Sequence, residues 1–149
     1  MDYPTLNYPP IHLRARRNRS GQTEVFDAVR GRWLVLTPEE WVRRHVVEHL
    51  ITECGFLPQQ IVEEYPVNIN SMSQRADIVA MDNSCSPRIV VECKEPGVKL
   101  CGEVLAQAVR YNSIIRAPYI VITNGLQTFS YALHEGHYHP IAELPKQDR

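Results

Sequence analysis

Two short apolar runs with acids set inside them constrain this chain more than any other feature. They are Ala76-Asp77-Ile78-Val79-Ala80 and Ile89-Val90-Val91-Glu92-Cys93-Lys94. The linking segment, Asp82-Asn83-Ser84-Cys85-Ser86-Pro87, is rich in turn formers, so the runs read as strands Arg75–Met81 and Arg88–Lys94 of one hairpin. Alternate residues of a strand share a face, which puts Glu92 and Lys94 on one side and Cys93 on the other. A turn centred on residues 84–85 sets residue 77 across from about residue 92. Two carboxylates and an ammonium then converge, and burying them is expensive because like charges repel and each loses solvation. A hard divalent cation removes that cost. Asp77, Glu92 and the Cys93 carbonyl are oxygen ligands suited to Mg²⁺, with Mn²⁺ as a substitute. Lys94 is then placed to orient or deprotonate an attacking water, or to stabilise developing charge. A salt-bridged hairpin in which Lys94 only neutralises the acids satisfies the same pattern. Cys93, facing away, reads as a core thiol rather than a nucleophile.

The elements around this hairpin describe one domain. Thr37-Pro38-Glu39-Glu40 is a helix start: Thr37 caps, Pro38 takes the first helical position and Glu40 completes a capping box. That helix is predicted to run to Cys54, with Gly55 as its stop. A strand at Tyr65–Asn70 precedes the hairpin, and a helix over residues 98–116 follows it. Pro118–Thr123 is a continuous apolar run suited to a strand buried on both faces. A last hairpin pairs Phe129–Leu133 with Tyr138–Ile141. Upstream, residues 1–10 form an extended arm with Pro4, Pro9 and Pro10, and residues 11–36 a β-hairpin. The expected fold class is α/β (α+β): a mixed central sheet flanked by helices, with an N-terminal hairpin extension (1–36), a core (37–125) and a terminal hairpin and tail (126–149). No stretch approaches the ~18 apolar residues of a membrane span, and the arginine-rich start does not read as a signal peptide, so a cytoplasmic protein is expected. Cys54, Cys85, Cys93 and Cys101 lack zinc-module spacing and are expected to be reduced thiols.

Further candidates lie outside the hairpin. Gln107 and Tyr111, four apart on the second helix, share one face and carry polar tips that can reach a phosphate or a water; a solvated Gln beside a core-margin Tyr is the bland reading. Glu48 on the first helix either joins the carboxylates or sits on a solvated face. Net charge is only −1, but 13 of the 16 basic residues are arginines, with Arg14, Arg16, Arg17 and Arg19 within six positions. These suit bidentate phosphate contacts, or simply protect an edge strand. His134, His137 and His139 with Glu135 surround a tight turn and read as a solvated hairpin end rather than a zinc site. Lys99 and Arg110 face either phosphates or solvent.

The order helix, three strands, helix, strand, with an acid in the first helix, Asp77, Glu92-Cys93-Lys94 and Gln107…Tyr111, resembles the PD-(D/E)xK nuclease superfamily. More narrowly it is similar to the N-terminal nuclease domain of type I restriction enzyme R subunits, over residues 38–125. The resemblance implies that Asp77 and Glu92 bind Mg²⁺, that Lys94 assists the water, and that Gln107 and Tyr111 support DNA cleavage. Glu48 matches the first-helix acid by position only. Ala76 stands where the motif's name has Pro. No GxxxxGK[ST] is present, so no nucleotide site and no DNA motor are expected in this chain, and a motor or specificity subunit would act in trans. The expected activity is metal-dependent hydrolysis of DNA, with Arg14 to Arg19 on the DNA backbone. The alternative is a non-catalytic nucleic-acid-binding or interaction module that keeps the fold.

Overall fold

The computed structural model describes residues 3–148; the expected domain span extends past these to Met1, Asp2 and Arg149. Three short strands, β1 (Ala15–Arg17), β2 (Thr23–Asp27) and β3 (Arg32–Val35), pair antiparallel in a sheet of their own. Helix α1 (Pro38–Thr52) and a single 3₁₀ turn (Pro58–Gln60) lead into the main sheet. It holds six strands in chain order: β4 (Ile61–Ile69), β5 (Met72–Met81), β6 (Pro87–Cys93), β7 (Tyr119–Thr123), β8 (Thr128–His134) and β9 (His137–Ile141). Only β6 and β7 run parallel, joined by the crossover helix α2 (Gly102–Ile115). The sheet is therefore mixed, as the element order predicts.

Each face of the sheet is covered by one helix. α1 lays Val42, Val46 and Leu50 over Ile78, Ala80, Ile89 and Val91, while α2 lays Val104, Ala108, Tyr111 and Ile115 over Val79, Val90, Ile120 and Ile122. The centre of β7 is consequently buried on both faces, which is why its sequence is continuously apolar rather than alternating.

Several boundaries differ from expectation. The Thr37 hydroxyl accepts from the Glu40 amide at 3.1 Å, but Glu40 does not complete a capping box; its carboxylate accepts from Arg44 Nε at 3.0 Å instead. β4 begins at Ile61, four residues early, because Glu63 is a buried strand residue. α2 begins at Gly102 rather than 98, since Glu95-Pro96-Gly97 first makes a turn in which the Val98 amide donates to the Glu95 carbonyl at 3.0 Å.

The N-terminal arm is extended but not loose. Leu6 is buried in the core against α1's side of the sheet, and the Asn7 amide donates to the Gly125 carbonyl at 2.8 Å. Gly125, just past β7, has φ of +85°, and a Cβ there would stand 2.7 Å from Leu6 Cδ2. Gly125→Ala combines a left-handed backbone with that overlap and should destabilise the protein by about 1–3 kcal/mol. Denaturant unfolding with an unchanged slope tests this; an unaltered midpoint would show that the arm is not seated on Gly125.

Candidate active site

The sheet opens between β5 and β6 where the charged residues begin. Their backbone pairing runs from Ala80↔Ile89 to Ile78↔Val91, and the next pair in that register is Asp77 with Glu92. There the side chains take over from the ladder. Asp77 Oδ2 accepts from the Cys93 amide at 2.7 Å, and the Asp77 amide points at Glu92 Oε1 at 3.4 Å. Glu92 is 3% exposed. Burial, and then the charge of Asp77, pushes its carboxyl up to about 9. Burial raises the Asp77 carboxyl as well, against lowering by the Cys93 amide and the Arg43 and Lys94 charges. Both carboxyls are thus harder to ionise than usual, chiefly because burial strips them of solvent. Lys94 follows directly, and its charge lowers both of them.

Helix α1 supplies two residues that the sequence motifs do not single out. Glu39 reaches Asp77, and its carboxyl is raised by burial and by the Asp77 charge while Arg43 and then Lys94 lower it. Arg43, one turn on and buried, lies 3.2 Å from Asp77 Oδ1 and 3.5 Å from Glu39 Oε1. Glu48, the expected acid of this helix, is exposed and is not brought to the site. It stands nine residues after Glu39, about two and a half turns, and so faces the opposite way. The pairing of Glu39 with Arg43 at helical spacing, beside the apolar stripe, is the signal that points to them. A third residue, Glu64, lies on β4 opposite Asp77, between the registered pairs Glu63↔Ile78 and Tyr65↔Ala76. Its φ is +54°, a left-handed conformation that costs a glutamate roughly 1–2 kcal/mol. Its carboxylate binds Arg30 at 2.9 Å and approaches Arg43 at 3.7 Å.

Behind these residues lies a buried ionic network. Arg44 contacts Asp27 at 2.8 Å and Glu40 at 3.0 Å, and pairs with Glu63. Arg30 contacts Asp27 at 2.6 Å and Glu63 at 3.4 Å. Burial would raise the Asp27 carboxyl, but the hydrogen bond from Arg30 and the charge of Arg44 hold it below its usual range. The first sheet, α1 and β4 are thus joined by charge as well as by packing.

On α2, Gln107 Nε2 donates to the Tyr111 hydroxyl at 2.8 Å, so the two act as one polar unit with Tyr111 buried. Gln107 and Lys94 line the same groove. The arginine cluster is elsewhere. Arg14 sits over Phe26 at 4.7 Å, Arg16 over Trp33 at 4.2 Å with Glu24 at 2.7 Å, and Arg17 donates to the Gly21 carbonyl at 3.0 Å. Three of the four arginines expected on DNA are therefore engaged within their own hairpin and sheet, which leaves Arg19. His134 and His139 are 6.4 Å apart at ring centres, and among the described residues no three His, Cys, Asp or Glu side chains are arranged to hold a metal. All four cysteines are free, with Cys93 buried and its thiol pushed well up by burial, as befits a core residue.

The family model for the type I restriction enzyme R protein N terminus matches residues 38–145. The chain belongs to this family. A solved structure described as a fragment of an HsdR subunit of a type I restriction enzyme from Vibrio vulnificus YJ016 has a similar fold, with a TM-score of 0.59 and 22% identity. The match covers 74% of this chain and 24% of that one, so this chain spans about a quarter of that chain's length. No curated protein matches the sequence. The family match takes in α1, the Asp77 and Glu92 strands, α2 and both terminal strands, and leaves the first sheet outside it. Among the described residues no helix is long and apolar enough to cross a membrane.

Proposed function

We propose that this R-protein N-terminal chain is a metal-dependent nuclease of the PD-(D/E)xK type that hydrolyses DNA phosphodiester bonds. The reading is carried by one observation: Glu92 is buried and Asp77 half-buried beside it where the β5–β6 ladder opens, with Lys94 next in the chain and Glu39 reaching in from α1. The donor set fits a hard divalent cation. Asp77, Glu92 and the Cys93 carbonyl would hold Mg²⁺ or Mn²⁺, whose charge would offset the cost of burying the two carboxyls together. When bound, such an ion supplies Lewis acidity and helps generate a nucleophile at neutral pH.

The chain's own residues account for the rest. The Cys93 amide fixes the Asp77 carboxylate, and Arg43 holds its other oxygen. Lys94 orients the attacking water and stabilises charge developing on the phosphoryl oxygens. Gln107, tied to Tyr111, directs a fixed dipole into the same space. Membership of the R-protein family supports DNA as substrate and a motor or specificity subunit as partner in trans.

The test is incubation with supercoiled and single-stranded DNA in Mg²⁺, Mn²⁺ or EDTA, with Lys94→Ala alongside. Cleavage should require the metal and fall by about 10²–10⁴-fold in Lys94→Ala. Cutting that survives the substitution, or no cutting with any metal or DNA form, sinks the catalytic reading. DNA retention in EDTA with no cleavage under any condition favours the non-catalytic module.

A further inference from the structure

Many of the strong cations in this protein are occupied by the fold. Arg30, Arg43 and Arg44 lie in the buried network, Arg32 and Arg75 reach Glu64, and Arg88 pairs with Asp148 at 3.0 Å. Lys94, Lys99 and Arg110 are different. None of the three has an ion-pair partner among the described residues, and all three line one groove of about 600 Å³ between the segment after β6 and helix α2. Glu103 is the groove's one acidic lining residue, so its walls carry a net charge of +2 from three cations and one anion. Lys94 and Gln107 belong both to this groove and to the candidate active site, which makes the groove continuous with it. Arg110 lies three residues after Gln107, on the same face of α2.

A cleft whose walls carry a net positive charge concentrates a polyanion. We infer that this groove is the channel for the DNA strand, with Lys99 and Arg110 holding phosphates that flank the one presented to Asp77 and Glu92. In this assignment the arginine-rich hairpin is not the principal DNA contact, because the guanidinium groups of Arg14, Arg16 and Arg17 already engage Phe26, Trp33, Glu24 and the Gly21 carbonyl and leave only Arg19. The inference rests on reading Asp77, Glu92 and Lys94 as the hydrolytic site. Contacts of this kind position the strand without reading bases, so binding is independent of sequence.

Fluorescence anisotropy of a short labelled duplex and of the corresponding single strand, in EDTA and over a range of salt, tests the assignment. The Lys99→Ala/Arg110→Ala double variant should bind at least about tenfold more weakly at low salt. Its plot of log affinity against log salt should be shallower by about 2 for the duplex, because each truncated side chain no longer neutralises its phosphate. Arg17→Ala/Arg19→Ala should bind within about twofold of the wild type, and thermal melts establish that both variants are folded. Wild-type affinity in the groove variant, weakening confined to the hairpin variant, or no wild-type affinity for either DNA form overturns the channel. Failure of the parent reading looks different: binding that depends on Lys99 and Arg110, with no cleavage in Mg²⁺ or Mn²⁺, leaves the channel standing and removes the nuclease.

Discussion

Replacing Arg44 with alanine should lower the unfolding free energy by about 3–5 kcal/mol. Arg44 neutralises Asp27, Glu40 and Glu63, and the Asp27 and Glu63 side chains are fully buried. Removing it leaves Arg30 as their nearest cation, and Glu63 Oε2 is already a buried oxygen with no hydrogen-bond partner among the described residues. The destabilisation is that of uncompensated charge in a medium that solvates it poorly, which is why it exceeds what the ion pairs add in the intact protein. For a chain of this size the melting temperature should fall by roughly 6–20 °C. Arg16→Ala, which breaks the exposed 2.7 Å pair with Glu24, is the control and should cost no more than about 1 kcal/mol. Equal melting temperatures for the two variants would refute the network as a source of stability.

Replacing Glu92 with glutamine should abolish cleavage while making the metal-free protein more stable at alkaline pH. The loss of activity, about 10²–10⁴-fold, follows from removing one of two carboxylates that would hold the cation, a contribution of several kcal/mol to the barrier. The gain in stability follows from the charge. The Glu92 carboxyl has an ordinary value of 4.5 and is held up to about 9 in the folded protein by burial and by Asp77. A carboxyl raised on folding keeps its proton in the native state after the unfolded chain has lost it. Its favourable contribution is therefore complete below 4.5 and disappears as pH rises toward 9. Metal-free wild type should lose stability across that window, and Glu92→Gln, with no proton to lose, should lose less. Mg²⁺ should raise the wild-type melting temperature at pH 8, as any ligand of the native state does, and leave the variant's unmoved. Identical pH profiles for the two proteins, or equal Mg²⁺ responses, would remove Glu92 from the site.

How much of this is legible in the sequence depends on the range of the interaction. The Asp77–Glu92 pairing follows from counting residues back from a turn, because a hairpin register is set locally. Gln107 and Tyr111 meet for the same reason, through helical spacing. The first-helix acid reads as Glu48 although Glu39 reaches Asp77: both lie on α1, and only the angle at which the helix docks selects the face. Glu63 and Glu64 fall just before the strand expected at Tyr65–Asn70, whereas the observed strand begins at Ile61. The burial of Glu63 depends on Arg30 and Arg44, which come from other elements of the chain, and no short window of sequence contains that pairing. The positive φ of Glu64 is hidden for the same reason, since nothing in its residue type favours it.

The network also separates two boundaries that are easily taken as one. The family match begins at residue 38, yet Asp27 and Arg30, the partners of Arg44 and Glu63, lie before it. A piece trimmed to the match would retain every motif acid and the lysine while depriving Arg44 of Asp27 and Glu63 of Arg30. Expression limits for proteins built this way should therefore be drawn by following the counter-ions outward from the core. Here they lead back through the first sheet, and the packing of Leu6 carries the limit on to the arm, well upstream of the first recognisable motif.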